Sequence, residues 1–137
     1  DLYTREVVGW SASARMTRQL AIDALLMALG RRSPQKGLLH PPDRGGQYAS
    51  KDYQKILNER GFICSKSRKG NCYDTAGAEI FFGRLKSEWV NHQRYLSRSE
   101  AKRSLFYYIE IFYNRKRRHS SIAYVTPQEY ESLPLAA

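Results

Sequence analysis

Apolar positions along the chain fall into short blocks separated by polar stretches rich in Gly and Pro. Val7, Val8 and Trp10 favour β structure, so residues 2–14 read as a strand or hairpin arm. Leu20, Ala21, Ala24, Leu25, Ala28 and Leu29 recur at helical spacing, with Asp23 off the stripe and solvated. This predicts a helix capped by Thr17 and stopped by Gly30. After the loop RRSPQKG, the run Gly37–His40 predicts a short buried strand, and PPDRGGQY a turn. Ser50 caps a second helix, with Tyr53, Ile56 and Leu57 inward and Gly61 as its stop. Phe62-Ile63-Cys64 is a second short strand. Beyond the polar SRKGNCY loop, Asp74 caps a helix running to about Asn91, with Ala78, Phe82, Leu85 and Trp89 on one stripe. Ser97 to Glu100 is a capping-box pattern opening a helix that carries Ala101, Leu105, Tyr108, Ile109 and Phe112. Pro127, the first helical position after Thr126, opens a last short helix. The order predicts an α/β layer with a helical end, and it supplies too few strands for a complete sheet. The expectation is that an N-terminal portion is missing; the chain starts without Met and directly on strand-like sequence.

Charge adds a partner class. Lys and Arg number 23 against 13 acids, a formal net charge of +10, which points to a polyanion such as nucleic acid. No apolar run has the length of a membrane span, and the start has no secretion-signal pattern. Cys64 and Cys72 form no C-x-x-C pair and share no zinc-type spacing with the histidines, so free thiols in a reduced, cytoplasmic setting are expected.

Two acids stand out by position. Asp43 follows a short apolar run in a Gly/Pro loop, where α/β folds place functional groups. Glu79 lies in the first turns of a helix, off the Phe82–Leu85–Trp89 stripe. Each alone is ordinary: a turn-forming Asp and a dipole-favoured helical Glu. The segments HPPDRGGQYAS (40–50) and SRKGNCYDTAGAEIFFGRLKSE (67–88), with 35 residues, 44 to 78, between the two acids, change that reading through the resemblance they carry. These segments resemble the insertion-sequence-three family of DDE transposases, close to the retroviral integrase catalytic core. LAIDALLMAL (20–29) and FYYIEIFYNRKRRHSSIAYVTPQEYE (106–131) resemble that family's first core helix and its C-terminal stretch. The resemblance covers essentially the whole chain.

The resemblance implies an RNase H-like fold, N-terminally truncated, with residues 1–131 a partial catalytic core and 132–137 a tail. It implies that Asp43 and Glu79 are two of three catalytic carboxylates binding two Mg²⁺ (or Mn²⁺) ions. Carboxylates suit these hard cations, which would clamp the attacking and leaving oxygens of an in-line displacement. The family's first Asp lies upstream of sequence matching residues 1–5, so Asp1 is not its counterpart, and this chain by itself is expected to be inactive. The implied partners are double-stranded DNA, at element terminal inverted repeats and target, and further copies of the intact protein, in the bacterial cytoplasm at the nucleoid. Pro41-Pro42, Thr75, Gly77 and Ile80 depart from the family pattern. Gly77 costs about 1 kcal/mol of helix propensity relative to Ala.

Around the acids, Lys86 lies seven residues after Glu79, on the same helix face with Gly83 between, and matches the family's DNA-end contact. Arg44 and Gln47 are candidates for DNA contact or for bracing the loop, and His40 for a hydrogen-bonded structural role. Arg115, Lys116, Arg117, Arg118 and His119 form the densest basic cluster and are expected to meet phosphates. Tyr107, Tyr108, Phe112 and Tyr113 are read as core before stacking surface. Two alternatives stand beside the transposase reading. One is an inactive remnant that binds DNA or joins oligomers as an inhibitor. The other is a nuclease for RNA–DNA hybrids, which fits NCYD and YNRKRRH poorly.

Overall fold

The structure is a computed structural model and describes residues 1–40, 50–64 and 73–134. It forms two compact units, one of residues 8–79 and the other of residues 1–7 with 80–137. Helices dominate both, and the strands among the described residues are β1 (Leu39–His40) and β2 (Ile63–Cys64).

In the unit of residues 8–79, α1 (Arg18–Arg31) packs on α2 (Lys51–Glu59). Ala21, Ile22, Leu25 and Leu29 of α1 meet Tyr53 and Leu57 of α2, with Ile56 and Phe62 at the margin. Ala21, Leu25 and Leu29 belong to the stripe expected from helical spacing; Ile22, outside that stripe, is buried as well, while Leu20, Ala24 and Ala28 are half-buried. Burial of a side chain such as Leu57, which is fully covered, contributes about 2 kcal/mol. Helix α1 does not stop at Gly30; it continues to Arg31 and ends with Arg32 extended. The approaching Ser33-Pro34 is the effective stop, since Pro disfavours helix in the residue before it. The Ser50 cap is as expected, its hydroxyl accepting from the Tyr53 amide at 3.3 Å. Gly61 ends that turn with φ +73°, a left-handed conformation that glycine adopts without strain. β1 and β2 pair in parallel, Leu39 opposite Ile63 and His40 opposite Cys64. Leu38, expected inside, is exposed because the pair is only two residues long.

The arm 2–14 is not a strand. Residues 5–13 have no regular structure, and Arg5 is left-handed at φ +64°. Val7 does make a strand-like pair of hydrogen bonds, but with a side chain. Its amide donates to Asn114 Oδ1 at 2.9 Å, and its carbonyl accepts from Asn114 Nδ2 at 3.0 Å.

The unit of residues 1–7 and 80–137 is built on the C-terminal part of α3 (Tyr73–Glu88), on α4 (Arg98–Phe106), and on a π-helical continuation, Tyr107–Tyr113. Helix α3 begins at Tyr73, so Asp74 lies within its first turn rather than ahead of it, and it ends at Glu88. Its inward residues are Phe81 and Leu85. Phe82 is about half exposed, because the Phe81 ring takes the place against Tyr113, edge-on at 5.0 Å. Ser97 caps α4 by accepting from the Glu100 amide, and the Glu100 carboxylate accepts from the amide of Leu96. Trp89 stacks near Tyr107 and Phe112, and its indole N–H donates to Ser104 at 2.8 Å. The last helix, α5 (Pro127–Ser132), carries the full capping box of Thr126 and Glu129.

Candidate functional site

Helix α3 carries two of the candidate side chains that the structure describes, Glu79 and Lys86. At 3.6 residues per turn, Glu79, Gly83 and Lys86 share one face, and Phe81, Leu85 and Glu88 lie about 180–240° around from Glu79 on the other. Exposure follows that geometry: Glu79, Gly83 and Lys86 are exposed, Leu85 is buried, and Phe81 and Glu88 are half-buried. A Cβ at Gly83 would meet nothing within 4 Å, so this stretch of the outer face is open. Asp43, Arg44 and Gln47 lie outside the described residues. His40 Nε2 lies 3.0 Å from the Tyr53 hydroxyl and edge-on to Tyr53 and Phe62, which is the structural role expected of it.

The basic run divides into outward and inward members. Arg115, Lys116 and Arg118 are exposed, and the Lys116 ammonium sits 5.9 Å from the Tyr107 ring centre. Arg117 and His119 turn inward. The Arg117 guanidinium grips Glu88 with a fork, Nη2 to Oε1 at 2.6 Å and Nε to Oε2 at 2.8 Å. Its side chain is 14% exposed and that of Glu88 30%, so the pair is partly withdrawn from water. Tyr108 donates to Glu88 Oε2 at 3.1 Å, and Arg84 approaches Oε1 at 3.5 Å. Arg117 Nη1 donates to His119 Nδ1 at 3.2 Å, which leaves His119 Nε2–H to donate to the Tyr113 carbonyl at 3.3 Å. His119 is thereby neutral with its proton on Nε2.

Titration follows from these contacts. The hydrogen bond from Arg117 holds the Glu88 carboxyl below its usual range despite partial burial. The same contact raises Arg117. Burial first, and Glu88 second, push the Tyr108 phenol up. Burial lowers His119, and the Arg117 charge lowers it further.

Glu88, Tyr108, Tyr113 and Asn114 therefore matter to the arrangement, and the sequence reading assigned none of them a site role. Glu88 had a signal. It stands one turn after Leu85, and an acid beside a buried helix stripe needs a partner. No helix among the described residues is long and apolar enough to cross a membrane. None of the described residues form a group of three or more His, Cys, Asp or Glu placed to hold a metal.

Two models of the integrase core domain match the chain, one over residues 1–72 and the other over residues 79–135. The chain belongs to the integrase core domain family. Among similar proteins, the transposase InsF for insertion sequence IS3A of Escherichia coli is 47% identical over 136 residues, covering 99% of this chain and 47% of that protein. The insertion element IS600 uncharacterized 31 kDa protein of Shigella sonnei is 47% identical over 130 residues, 95% of this chain and 48% of that protein. The transposase for insertion sequence element IS904 of Lactococcus lactis is 44% identical over 131 residues, 96% and 52% respectively. The chain spans about half the length of these relatives. No solved structure matches it significantly. An integrase core implies an RNase H-like fold, the fold expected from the motifs, while the described residues are mainly helical.

Proposed function

We propose that this chain is part of the catalytic core of a DDE transposase, contributing Asp43 and Glu79 as two of three carboxylates. The observation carrying this is the pair of integrase-core matches, which between them include both acids. In the intact protein the core would complete an α/β sheet of the RNase H type, of which β1 and β2 are part. The donor chemistry fits Mg²⁺ or Mn²⁺: hard carboxylate oxygens, with Glu79 exposed on α3 and making no ion pair among the described residues. Asp43 and Glu79 would hold the metal, which when bound supplies charge neutralisation at the attacking and leaving oxygens. The reaction is polynucleotidyl transfer. Water cleaves a phosphodiester at the element end, and the freed 3′-hydroxyl attacks a second phosphodiester, first joining end to end into a circle that later integrates.

The DNA partners are terminal inverted repeats and target duplex, met by Lys86 beside Glu79 and by Arg44, Gln47, Arg115, Lys116 and Arg118; the intact protein works as a homo-oligomer. Arg117 and His119 belong to the same cluster through internal contacts. In a full-length transposase carrying this sequence, Asp43→Asn and Glu79→Gln should each abolish Mg²⁺-dependent strand transfer while DNA binding persists. Transfer that survives either change overturns the reading. The 137-residue chain alone should give no transfer, since residues 1–137 hold no counterpart of the third carboxylate. The +10 charge, with Arg115, Lys116 and Arg118 exposed, supports a second reading, a DNA-binding or oligomerising inhibitor. Added to an active transposase, such a chain lowers its output.

A further inference from the structure

We infer that Glu88 and Arg117 are positioning residues that set the rotation of α3, so that Lys86 faces DNA, and that Arg117 is not itself a phosphate contact. This rests on the reading of Lys86 as a DNA contact.

The sequence places Arg117 in the middle of a basic run, and the bland reading treats all five members alike. The structure separates them. Arg117 spends its fork on the two oxygens of Glu88, at 2.6 and 2.8 Å. Its remaining Nη1 donates to His119 Nδ1 and lies 3.3 Å from the Arg118 carbonyl. A planar guanidinium has five N–H donors in a fixed geometry, and with these contacts made it has little left for a phosphate. Glu88 closes the inner side of α3, where it also accepts from Tyr108, itself fully buried.

The inner face of a helix can roll when only apolar contacts hold it, because dispersion and burial are not directional. A bidentate charge-assisted pair is directional and fixes the roll. Glu88 lies two residues from Lys86, about 200° around the helix. Anchoring one side of α3 therefore aims the opposite side. Lys86 is exposed there, and Glu79 stands two turns earlier on the same face. The π-helical segment supports the anchor. Its wider turn brings Tyr108 and Tyr113 to α3 and delivers the chain to Arg117 with Asn114 as the exit.

The test measures binding of this chain to a mixed-sequence DNA duplex across a KCl series, with Glu88→Gln, Arg117→Lys and Lys86→Ala. The two readings of Arg117 give opposite signs. If Arg117 contacts phosphate, Glu88→Gln frees it and adds positive charge, so binding tightens; Arg117→Lys keeps the charge and changes little. If the pair positions α3, both substitutions weaken binding. Each then lowers the slope of log K against log salt by about 0.9, the value for one lost phosphate contact and the same loss as Lys86→Ala. Combined with Lys86→Ala, neither lowers it further.

Tighter binding by Glu88→Gln, an unchanged slope in Arg117→Lys, or additive losses in the double variants each overturn the inference while leaving Lys86 as a DNA contact. A Lys86→Ala chain with wild-type slope overturns the DNA reading of Lys86, and the inference with it. Should Glu88→Gln fail to fold by circular dichroism, Arg117→Lys decides alone, because it retains an ion pair with Glu88.

Discussion

His119 shows how a single residue can look like one thing in sequence and be another in the fold. In the run NRKRRH it reads as part of a cationic patch. In the structure it is 6% exposed, accepting from Arg117 and donating to Tyr113. Burial and the neighbouring Arg117 and Arg84 charges lower its pKa from the usual 6.5, while Glu88 and the Tyr113 carbonyl pull the other way. Because the folded value lies below the unfolded one, the unfolded chain binds more protons in that window. Stability is therefore full above about pH 6.5 and is lost as pH falls toward the folded value. Thermal melts should show Tm falling between pH 7 and pH 5, and His119→Gln should flatten that fall. A wild-type Tm constant across this range would contradict the account. Glu88 acts at lower pH in the same direction, its depressed carboxyl adding stability that disappears on acidification.

At the scale of elements, what was legible in the sequence was what is decided locally. Ser50, Ser97 and Thr126 cap helices because a hydroxyl meets an amide three residues on, and that requires no knowledge of the fold. Much of the α1–α2 core likewise follows from spacing, through Ala21, Leu25, Leu29, Tyr53 and Leu57, with Ile22 the addition that spacing did not give. The arm 2–14 did not, because its partner is 107 residues away. The Val7 peptide finds a primary amide instead of a second strand. Phe82 was expected inward and Phe81 takes that place instead: adjacent aromatics differ by 100° on a helix, and the π-helical segment decides which one is covered. Asn114 holds the Val7 residue of the arm at both its N–H and its C=O. Asn114→Leu should lower stability by about 2 kcal/mol, since it leaves two partly buried backbone groups without partners. Urea unfolding measures this, and a loss under about 0.5 kcal/mol would show that water replaces the amide without penalty.

At the scale of the molecule, the family was legible because several motifs stand in order over nearly the whole chain, and the comparisons agree with that family. The division into two units was not legible, since no linker-like composition marks residues 79 and 80 and one helix runs through them. Large apolar side chains remain at the surface, Leu96 95% exposed and Met16 82%. Such surface favours association. The chain should self-associate as its concentration rises, visible as a growing sedimentation coefficient; a constant monomer value would count against this. The uninterrupted run of α3 also has a genetic consequence. Its outer and inner faces keep their relation only while the count between Gly83 and Glu88 is preserved. One inserted codon there would put the two faces about 100° out of phase, whereas a conservative exchange at the same place leaves the phase intact. In this stretch, a change of length should damage the protein more than a change of identity.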